Sequence, residues 1–168
     1  MANAGISDRE DMAGGWDEEF VEALVRVNVL DVLRTVAAFL PHLRQRDPAM
    51  LLVTSSKLAF VPAAAFPTYC ATKAFLHSWL QLLRHQVRGT PLEVLELLPP
   101  YVATKLTGPQ QLDDPRAMPL GEFIAETLAQ LENGDHPRGE LLVERARSDR
   151  AAERSGCYDQ VFATNNPA

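Results

Sequence analysis

The sequence predicts an α/β fold in three layers, with helices on both faces of a parallel sheet. Amphipathic helical patterns alternate with short apolar runs along the chain, and parallel strands need a crossover, usually a helix, between them. The apolar runs are short enough to be strands that are covered on both faces. The length of 168 residues fits one domain over 1–168, because domains commonly have about 100–200 residues.

The predicted elements follow two patterns: apolar residues at steps of three and four for helices, and continuous apolar runs for strands. In chain order they are a helical stretch at 20–40 (one long helix or two in succession), strand 50–54, helix 68–88, strand 92–98, helix 120–131 and strand 141–143. Gly89 follows the second helical region as its stop. The polar stretch 107–119 is too long for a tight turn and is interpreted as a mobile substrate flap.

Composition and charge exclude several classes of protein. The chain is 46% apolar and 23% charged, as in ordinary globular domains. A formal net charge of −6 without a basic run argues against nucleic acid as a partner. No apolar run approaches about 18 residues, so no membrane partner is expected. Cys70 and Cys157 form neither a metal-ligand cluster nor a disulfide framework, which predicts no metal site and a cytoplasmic location.

A tyrosine and a lysine in the second helical region form the first chemical motif. Tyr69 and Lys73 are four residues apart and therefore lie on one face of a helix. A phenol titrates near pH ~10, and a neighbouring ammonium lowers its pKa, which would prepare the tyrosine for proton transfer. Tyr101 and Lys105 have the same spacing, but they follow two prolines in a predicted loop, where a shared face is not implied.

Other polar residues stand at the predicted carboxyl ends of strands, where ligands bind in folds of this kind. Ser55 and Ser56 directly follow the first predicted strand, with Ser56 13 residues before Tyr69. The remaining positions in the set are Asn28, which precedes Ser56 by 28 residues, Asn3-Ala4-Gly5, and Thr104 beyond the second strand. These spaced residues form a larger set around the tyrosine and the lysine.

This set resembles the short-chain dehydrogenase/reductase family. In that family a Tyr-x-x-x-Lys helix, an upstream Ser and a helical Asn form a catalytic tetrad, and the stretch 69–75 is very similar to the family's usual sequence. The resemblance implies a partial Rossmann-like fold, a doubly wound parallel sheet that retains the C-terminal strands and helices. It also implies NAD or NADP as the cofactor and a small carbonyl or alcohol as the substrate.

The resemblance implies a role for each matched residue. Tyr69 would be the general acid/base, Lys73 would lower its pKa, Ser56 would hold the substrate oxygen and Asn28 would position a water. The cofactor would be bordered by Asn3, Ala4, Gly5, Tyr69, Lys73, Val102 and Thr104. Ser55 is the alternative to Ser56, Asn28 could instead bond neighbouring backbone, and the segment at 3–5 could be a frayed terminus.

The sequence lacks the Gly-rich turn with which dinucleotide-binding folds hold a pyrophosphate. Its nine glycines are scattered, and only Gly14-Gly15 are adjacent. The expectation is therefore an N-terminally truncated family member with weak cofactor binding and little or no activity on its own. Two functions stay open: an NAD(P)-dependent oxidoreductase that transfers a hydride, and a non-enzymatic remnant that acts as an interaction or regulatory module. The resemblance also implies a homo-oligomer formed by the helices that carry Asn28 and Tyr69.

Overall fold

The computed structural model describes residues 1–134 and 136–167, over which helices alternate with three strands. The helices are α1 (Glu18–Val25), α2 (Asp31–Leu43), α3 (Pro67–Gln86), α4 (Leu120–Asn133), α5 (Arg147–Ala151) and α6 (Tyr158–Asn165). The strands are β1 (Ala49–Thr54), β2 (Leu92–Leu97) and β3 (Glu140–Leu141). None of the described helices is long and apolar enough to cross a membrane. The predicted helices and strands are present, and α5 and α6 were not predicted.

The three strands form one parallel sheet in the order β1-β2-β3. Pairing between β1 and β2 runs from Ala49 opposite Leu92 to Thr54 opposite Leu97. The short β3 pairs with β2 only near its end, where Leu141 lies opposite Leu97. The predicted α/β class with a parallel sheet is confirmed. Since all three strands run in the same direction, the segments that follow β1 and β2 meet at one edge of the sheet.

Apolar side chains cover the sheet from both sides. One face packs against α2 and α3 in a core that includes Val32, Val36, Ala49, Leu51, Val53, Leu76, Leu80, Leu83, Leu92 and Val94. The opposite face packs against α4 in a core that includes Leu95, Leu97, Phe123 and Leu141. Successive strand residues point to opposite faces, so Leu51 and Leu52 belong to different cores. The chain therefore has three layers, and the helix that carries Tyr69 lies directly on β1 and β2.

A π-helical turn divides the first helical stretch into α1 and α2. The Asp17 carboxylate accepts a hydrogen bond of 2.9 Å from the Phe20 amide and caps α1. Residues Arg26–Leu30 then form a π-helical turn before α2 begins. A π turn adds a residue to the helical register and is frequent at functional positions. Asn28 lies in this turn and is fully buried.

Residues 1–6 run beside the carboxyl end of β1. Ala2 forms a parallel bridge with Val53: its amide donates to Leu52 O at 2.8 Å, and its carbonyl accepts from the Thr54 amide at 3.0 Å. These bonds hold the segment against the sheet, so it is not a frayed terminus. Within the described chain, Ala2 is the one residue that pairs with this outer edge of β1.

The stretch 107–119, interpreted above as a substrate flap, packs on the loop that follows β2. Met118 exchanges backbone hydrogen bonds of 2.8 Å with Tyr101 and Ala103. The buried Gln111 side chain donates to the carbonyl of Val102 at 2.7 Å. The structure therefore shows this stretch in a docked arrangement.

Candidate functional site

The first turns of α3 carry the candidate site. Pro67 occupies the first helical position, where its fixed φ angle suits a helix and its missing N–H costs no intrahelical hydrogen bond. Tyr69 and Lys73 follow at one-turn spacing, and both are buried. The Lys73 Nζ lies 5.4 Å from the centre of the Tyr69 ring. The same ammonium donates a hydrogen bond of 3.1 Å to the carbonyl of Thr54, the last residue of β1.

Burial changes the proton affinity of both groups. It raises the pKa of Tyr69 to about 12, and a hydrogen bond with the Ser56 side chain lowers this pKa only in part. Burial lowers the pKa of Lys73 to about 8. In each case the charged form is disfavoured because it loses contact with water. The net pKa shift of Tyr69 is thus opposite to the lowering predicted from the neighbouring lysine, because desolvation is the larger effect.

The two adjacent serines have different partners. Ser56 caps the 3₁₀ helix Lys57–Ala59, accepts a hydrogen bond of 3.1 Å from the Leu58 amide and interacts with Tyr69. Ser55 is buried, and its hydroxyl donates to the carboxylate of Glu96 at 2.5 Å. The Ser55 proton is therefore engaged inside the sheet, and Ser56 is the serine that contacts the tyrosine.

Asn28 joins the first segment of the chain to α3. Its Oδ1 accepts from the Ile6 amide at 2.9 Å, and its Nδ2 donates to the Ile6 carbonyl at 2.9 Å and to Thr72 Oγ1 at 3.3 Å. A Cβ at Gly5 would lie 3.3 Å from Asn28 Oδ1 and 3.7 Å from Lys73 Nζ, so the backbone at Gly5 passes very close to both groups. The buried side-chain amide thus joins the backbone of Ile6 to Thr72 of α3.

The other predicted cofactor residues have fewer contacts with Tyr69 and Lys73. Asn3 is exposed, and its Oδ1 accepts from the Thr54 hydroxyl at 2.8 Å, while Ala4 is exposed beside it. Val102 is buried and bridges to Met118 in the docked stretch. Thr104 is half-buried, and its hydroxyl accepts from the amide of Leu106 at 3.4 Å. The structure thus brings together residues from Gly5, the π turn, β1 and α3, whereas Val102 and Thr104 contact the segments that follow them.

Two threonines contribute to this arrangement and were not predicted. Thr54 holds Lys73 through its carbonyl and Asn3 through its hydroxyl. Thr72 bonds the carbonyl of Tyr69 at 2.7 Å while it accepts from Asn28. Thr72 stands between the tyrosine and the lysine in the sequence, which was a usable signal. Thr54 contacts Lys73 through its backbone carbonyl, and a backbone contact cannot be predicted from the pattern of side chains.

A buried carboxylate on β2 was also not recognised as a centre of contacts. Glu96 is fully buried, and besides Ser55 it contacts His77 Nδ1 at 2.9 Å and Arg84 Nη2 at 3.5 Å. A buried carboxylate is tolerated only with such partners. The signal was a glutamate in an apolar strand. Among the residues that the structure describes, no group of three or more His, Cys, Asp or Glu side chains could hold a metal ion.

The residues of the site fit the nicotinamide-ribose end of a dinucleotide. An ammonium has three donors, and the one hydrogen bond shown for the buried Lys73 ammonium goes to Thr54. A Cβ at Gly5 would press on Asn28 Oδ1 and would contact Lys73 Nζ, so the glycine keeps the space in front of both groups open. The Gly-rich turn that holds the diphosphate end in dinucleotide-binding folds is not found in the sequence.

A parallel sheet with helices on both faces, and with a buried tyrosine and lysine on a helix at its carboxyl edge, places the chain in the class of Rossmann-like α/β proteins. The model of the family described as short chain dehydrogenase matches residues 1–115 of the chain. The protein belongs to the short-chain dehydrogenase family.

Curated relatives and a solved structure agree with this assignment. The uncharacterised oxidoreductase DltE of Bacillus subtilis is 36% identical over 167 residues, which are 98% of this chain and 65% of the relative. An uncharacterised oxidoreductase of Myxococcus xanthus is 31% identical over 74% of this chain and 49% of its own length. The chain thus spans about half to two thirds of these relatives. A short-chain dehydrogenase of Burkholderia cenocepacia, solved in complex with NADP, matches the fold with a TM-score of 0.80 at 21% identity, over 99% of this chain and 69% of that one.

Proposed function

We propose that this chain supplies the catalytic part of an NAD(P)-dependent oxidoreductase that interconverts a small carbonyl and its alcohol. The observation that carries the proposal is the buried group of Ser56, Tyr69 and Lys73 at the carboxyl edge of the sheet. The nicotinamide, when bound, supplies or accepts the hydride. The chain's own residues orient the substrate oxygen and move its proton.

Tyr69 is the proton donor in the reducing direction. Because its pKa is raised to about 12, the phenol is protonated at neutral pH and can transfer a proton to a carbonyl oxygen. The Ser56 hydroxyl holds the same oxygen through a second hydrogen bond. Lys73, whose pKa is lowered to about 8, remains mainly cationic at pH ~7 and stabilises the phenolate that is left.

The cofactor is bordered at its nicotinamide end by Asn3, Ala4, Gly5, Val102 and Thr104, and it is either NAD or NADP. The ribose hydroxyls are held by Lys73, whose ammonium has donors beyond the one bonded to Thr54. Since no Gly-rich turn is present, we propose that contacts to the diphosphate come from outside these 168 residues.

The binding test compares NADH, NADPH and reduced nicotinamide mononucleotide, which lacks the adenosine half. If only the nicotinamide-ribose end is held, all three bind the purified chain with similar affinity, measured by quenching of nicotinamide fluorescence. Failure of all three to bind at millimolar concentration contradicts the proposal. A strong preference for the dinucleotides contradicts the one-ended site.

The catalytic test uses Tyr69→Phe and, as a matched control, Tyr101→Phe. Loss of the acid is expected to lower kcat for reduction of carbonyl compounds by about 100-fold or more. Tyr101 shares the spacing to a lysine, but its hydroxyl bonds Asp114 at 3.2 Å in the loop, so its loss should leave kcat within about twofold. Equal effects of the two substitutions would contradict the role of Tyr69.

A non-enzymatic interaction module is the second candidate, and one observation favours it. The outer edge of β1 pairs only with Ala2 in the described chain, and Met50 on this strand is 46% exposed. Such an edge can accept a strand from another protein. Activity that depends on Tyr69 would decide against this candidate.

We also propose that the protein is a cytoplasmic homo-oligomer that associates through the helices that carry Asn28 and Tyr69. Two observations support this: both cysteines are free, and large apolar side chains are exposed on these helices, including Leu30, Phe75 and Leu82. Leu82→Lys should then lower the oligomer mass seen by sedimentation. An unchanged mass would contradict the interface.

A further inference from the structure

One cavity of the protein lies far from the tyrosine and is lined by arginines. It has a volume of about 430 Å³ and opens between the end of α3, the segment before β3 and the α5 region. Its wall includes Arg84, Arg88, Arg138, Arg150 and Arg154, which are five of the 16 basic residues of the chain. Arg84 follows Tyr69 by 15 residues in α3, a distance of about 22 Å along the helix axis. The cavity is therefore separate from the candidate site.

The guanidinium charges of this arginine pocket exceed the carboxylates that neutralise them. Glu140 accepts two hydrogen bonds of 2.8 Å from Arg150 and lies 3.5 Å from Arg138. Glu96 accepts from Arg84 at 3.5 Å. Five guanidinium groups thus meet two carboxylates, which leaves three positive charges in excess in a chain whose net charge is −6. This surplus is local, so it is not explained by the overall charge of the protein.

The arginines of the pocket differ in how they are held: one is fixed by its contacts, and two are exposed to solvent. Arg150 is fixed by Glu140 and stacks over the Phe60 ring, with 4.6 Å from its guanidinium carbon to the ring centre. Arg88 and Arg154 are exposed, and neither forms an ion pair within the described residues. A ligand can therefore be bound between a guanidinium group that is already held in place and guanidinium groups that are exposed to solvent.

The backbone at the rim of the pocket is strained. Arg138 has φ 61° and ψ 12°, in the left-handed region that non-glycine residues rarely adopt. Gly139 beside it has φ 71°, and a Cβ there would lie 2.8 Å from Arg84 Cδ and from the Val94 carbonyl. Such strain costs about 1 kcal/mol or more and clusters at ligand-binding positions. The close packing at Gly139 brings Arg138 up to the arginines of α3.

We propose that the arginine pocket binds a small anion that carries two or more linked phosphate groups. Guanidinium groups bind phosphate oxygens in pairs through parallel N–H donors, which matches several arginines around one cavity. The volume lies within the range of about 300–1,000 Å³ that is typical of small-molecule sites. Two linked phosphates carry about three negative charges at neutral pH, which balances the surplus of three.

Calorimetric titration of the full chain with pyrophosphate, orthophosphate and citrate at constant ionic strength tests this site. Pyrophosphate is expected to bind at least about tenfold more tightly than orthophosphate, because it engages more guanidinium groups. Citrate is the carboxylate arm of the experiment, and binding as tight as that of pyrophosphate would overturn the assignment to phosphate. Tighter binding of a short single-stranded DNA would overturn the assignment to a small anion.

The matched variants are Arg88→Gln/Arg154→Gln and, as the control, Arg44→Gln/Arg46→Gln. All four arginines are exposed, and each double variant removes two positive charges, but Arg44 and Arg46 follow α2 outside the pocket. The first pair should weaken pyrophosphate binding at least about tenfold and the second less than about twofold. Equal losses would show general charge attraction and overturn the proposal. A change in sedimentation mass with unchanged anion affinity would identify a subunit contact and would also overturn it.

Discussion

Lys73 is the residue whose burial has the clearest consequence for the protein. The residue is 3% exposed, and burial lowers the pKa of its ammonium from 10.5 to about 8. Below the folded-state pKa the chain must keep a poorly solvated cation, which costs stability. Between pH ~8 and the unfolded-state pKa the folded protein has released this proton while the unfolded chain still binds it. The free energy of unfolding therefore rises with pH in this window.

The first prediction measures this effect with Lys73→Met. From pH 7 to pH 10 the wild-type chain should gain about 2 kcal/mol of unfolding free energy relative to the variant, as the folded-state pKa of about 8 implies. Urea unfolding followed by circular dichroism gives both values. Tyr69 titrates with a pKa raised to about 12 and is present in both proteins, so its contribution cancels to first order. A constant difference across this pH range would contradict the burial of a charged lysine.

The second prediction separates the two adjacent serines. Ser55→Ala removes a donor from the buried Glu96 and should lower the free energy of unfolding by about 1–3 kcal/mol. Ser56→Ala should instead lower kcat for carbonyl reduction by about 100-fold, because its hydroxyl would hold the reacting oxygen. Parallel unfolding and activity measurements distinguish the variants. Catalytic loss confined to Ser55→Ala would reverse the assignment.

These serines also show where sequence reasoning stops at the residue scale. The spacing of Ser56, Tyr69 and Lys73 identified the group that the fold brings together. The spacing favoured Ser56 over Ser55, but it could not show why the two differ, because Ser55 is bound by Glu96, which is 41 residues further along and adjacent only through β-pairing. Likewise, the raised pKa of Tyr69 depends on how deeply α3 is covered, which local spacing does not report.

At the scale of elements, the π turn at Arg26–Leu30 connects the first segment of the chain with α3. Asn28 points inward from this turn and satisfies both backbone groups of Ile6. One buried side-chain amide thus provides Ile6 with the two hydrogen bonds that a neighbouring strand would otherwise provide. The apolar stripe from 20 to 40 predicted the helices on either side, but it does not reveal one extra residue in a turn.

The third prediction concerns this connection. Asn28→Ala leaves the Ile6 N–H and C=O without their partners, and it should lower the free energy of unfolding by about 2–3 kcal/mol. Amide hydrogen exchange at residues 5–7 should become markedly faster. Asn3→Ala is the control, because Asn3 is exposed and loses only its contact with Thr54. Unchanged exchange at Ile6 in Asn28→Ala would show that other contacts hold the segment.

The helices α5 and α6 show what the apolar patterns could not predict. Their docking depends on polar contacts: Asp149 pairs with Lys57 at 3.0 Å and accepts from Asn165 at 2.9 Å. Asn165 also donates to the Val61 carbonyl at 3.1 Å. Such contacts join distant parts of the chain and leave no periodic stripe. The strands and long helices were predicted because their burial repeats along the sequence.

At the scale of the whole molecule, the two edges of the sheet differ. The last strand, β3, is followed by the segments that lead into α5 and α6, and its two residues are buried. At the opposite edge of the sheet, Ala2 is the one described residue that pairs with the outer side of β1, so most of that side is left without a partner in the described chain. Met50 is 46% exposed on the sheet face that α4 covers elsewhere. An open edge beside an exposed apolar side chain favours pairing with another chain.

The fourth prediction tests whether this edge causes the purified chain to associate. Met50→Lys places a charge on the edge strand, the device by which natural sheets resist edge-to-edge pairing, and should lower the average mass measured by light scattering at high concentration. Because Met50 is only partly buried, the free energy of unfolding should change by less than about 1 kcal/mol. Met12→Lys is the matched control, since Met12 is 66% exposed in a loop and carries the same change of side chain and charge. If both variants reduce association equally, net charge rather than the edge of β1 controls it. If neither variant reduces association, the edge of β1 is not the contact. The exposed helical face that carries Phe75 and Leu82 is then the remaining candidate, and a lower mass for Leu82→Lys would identify it.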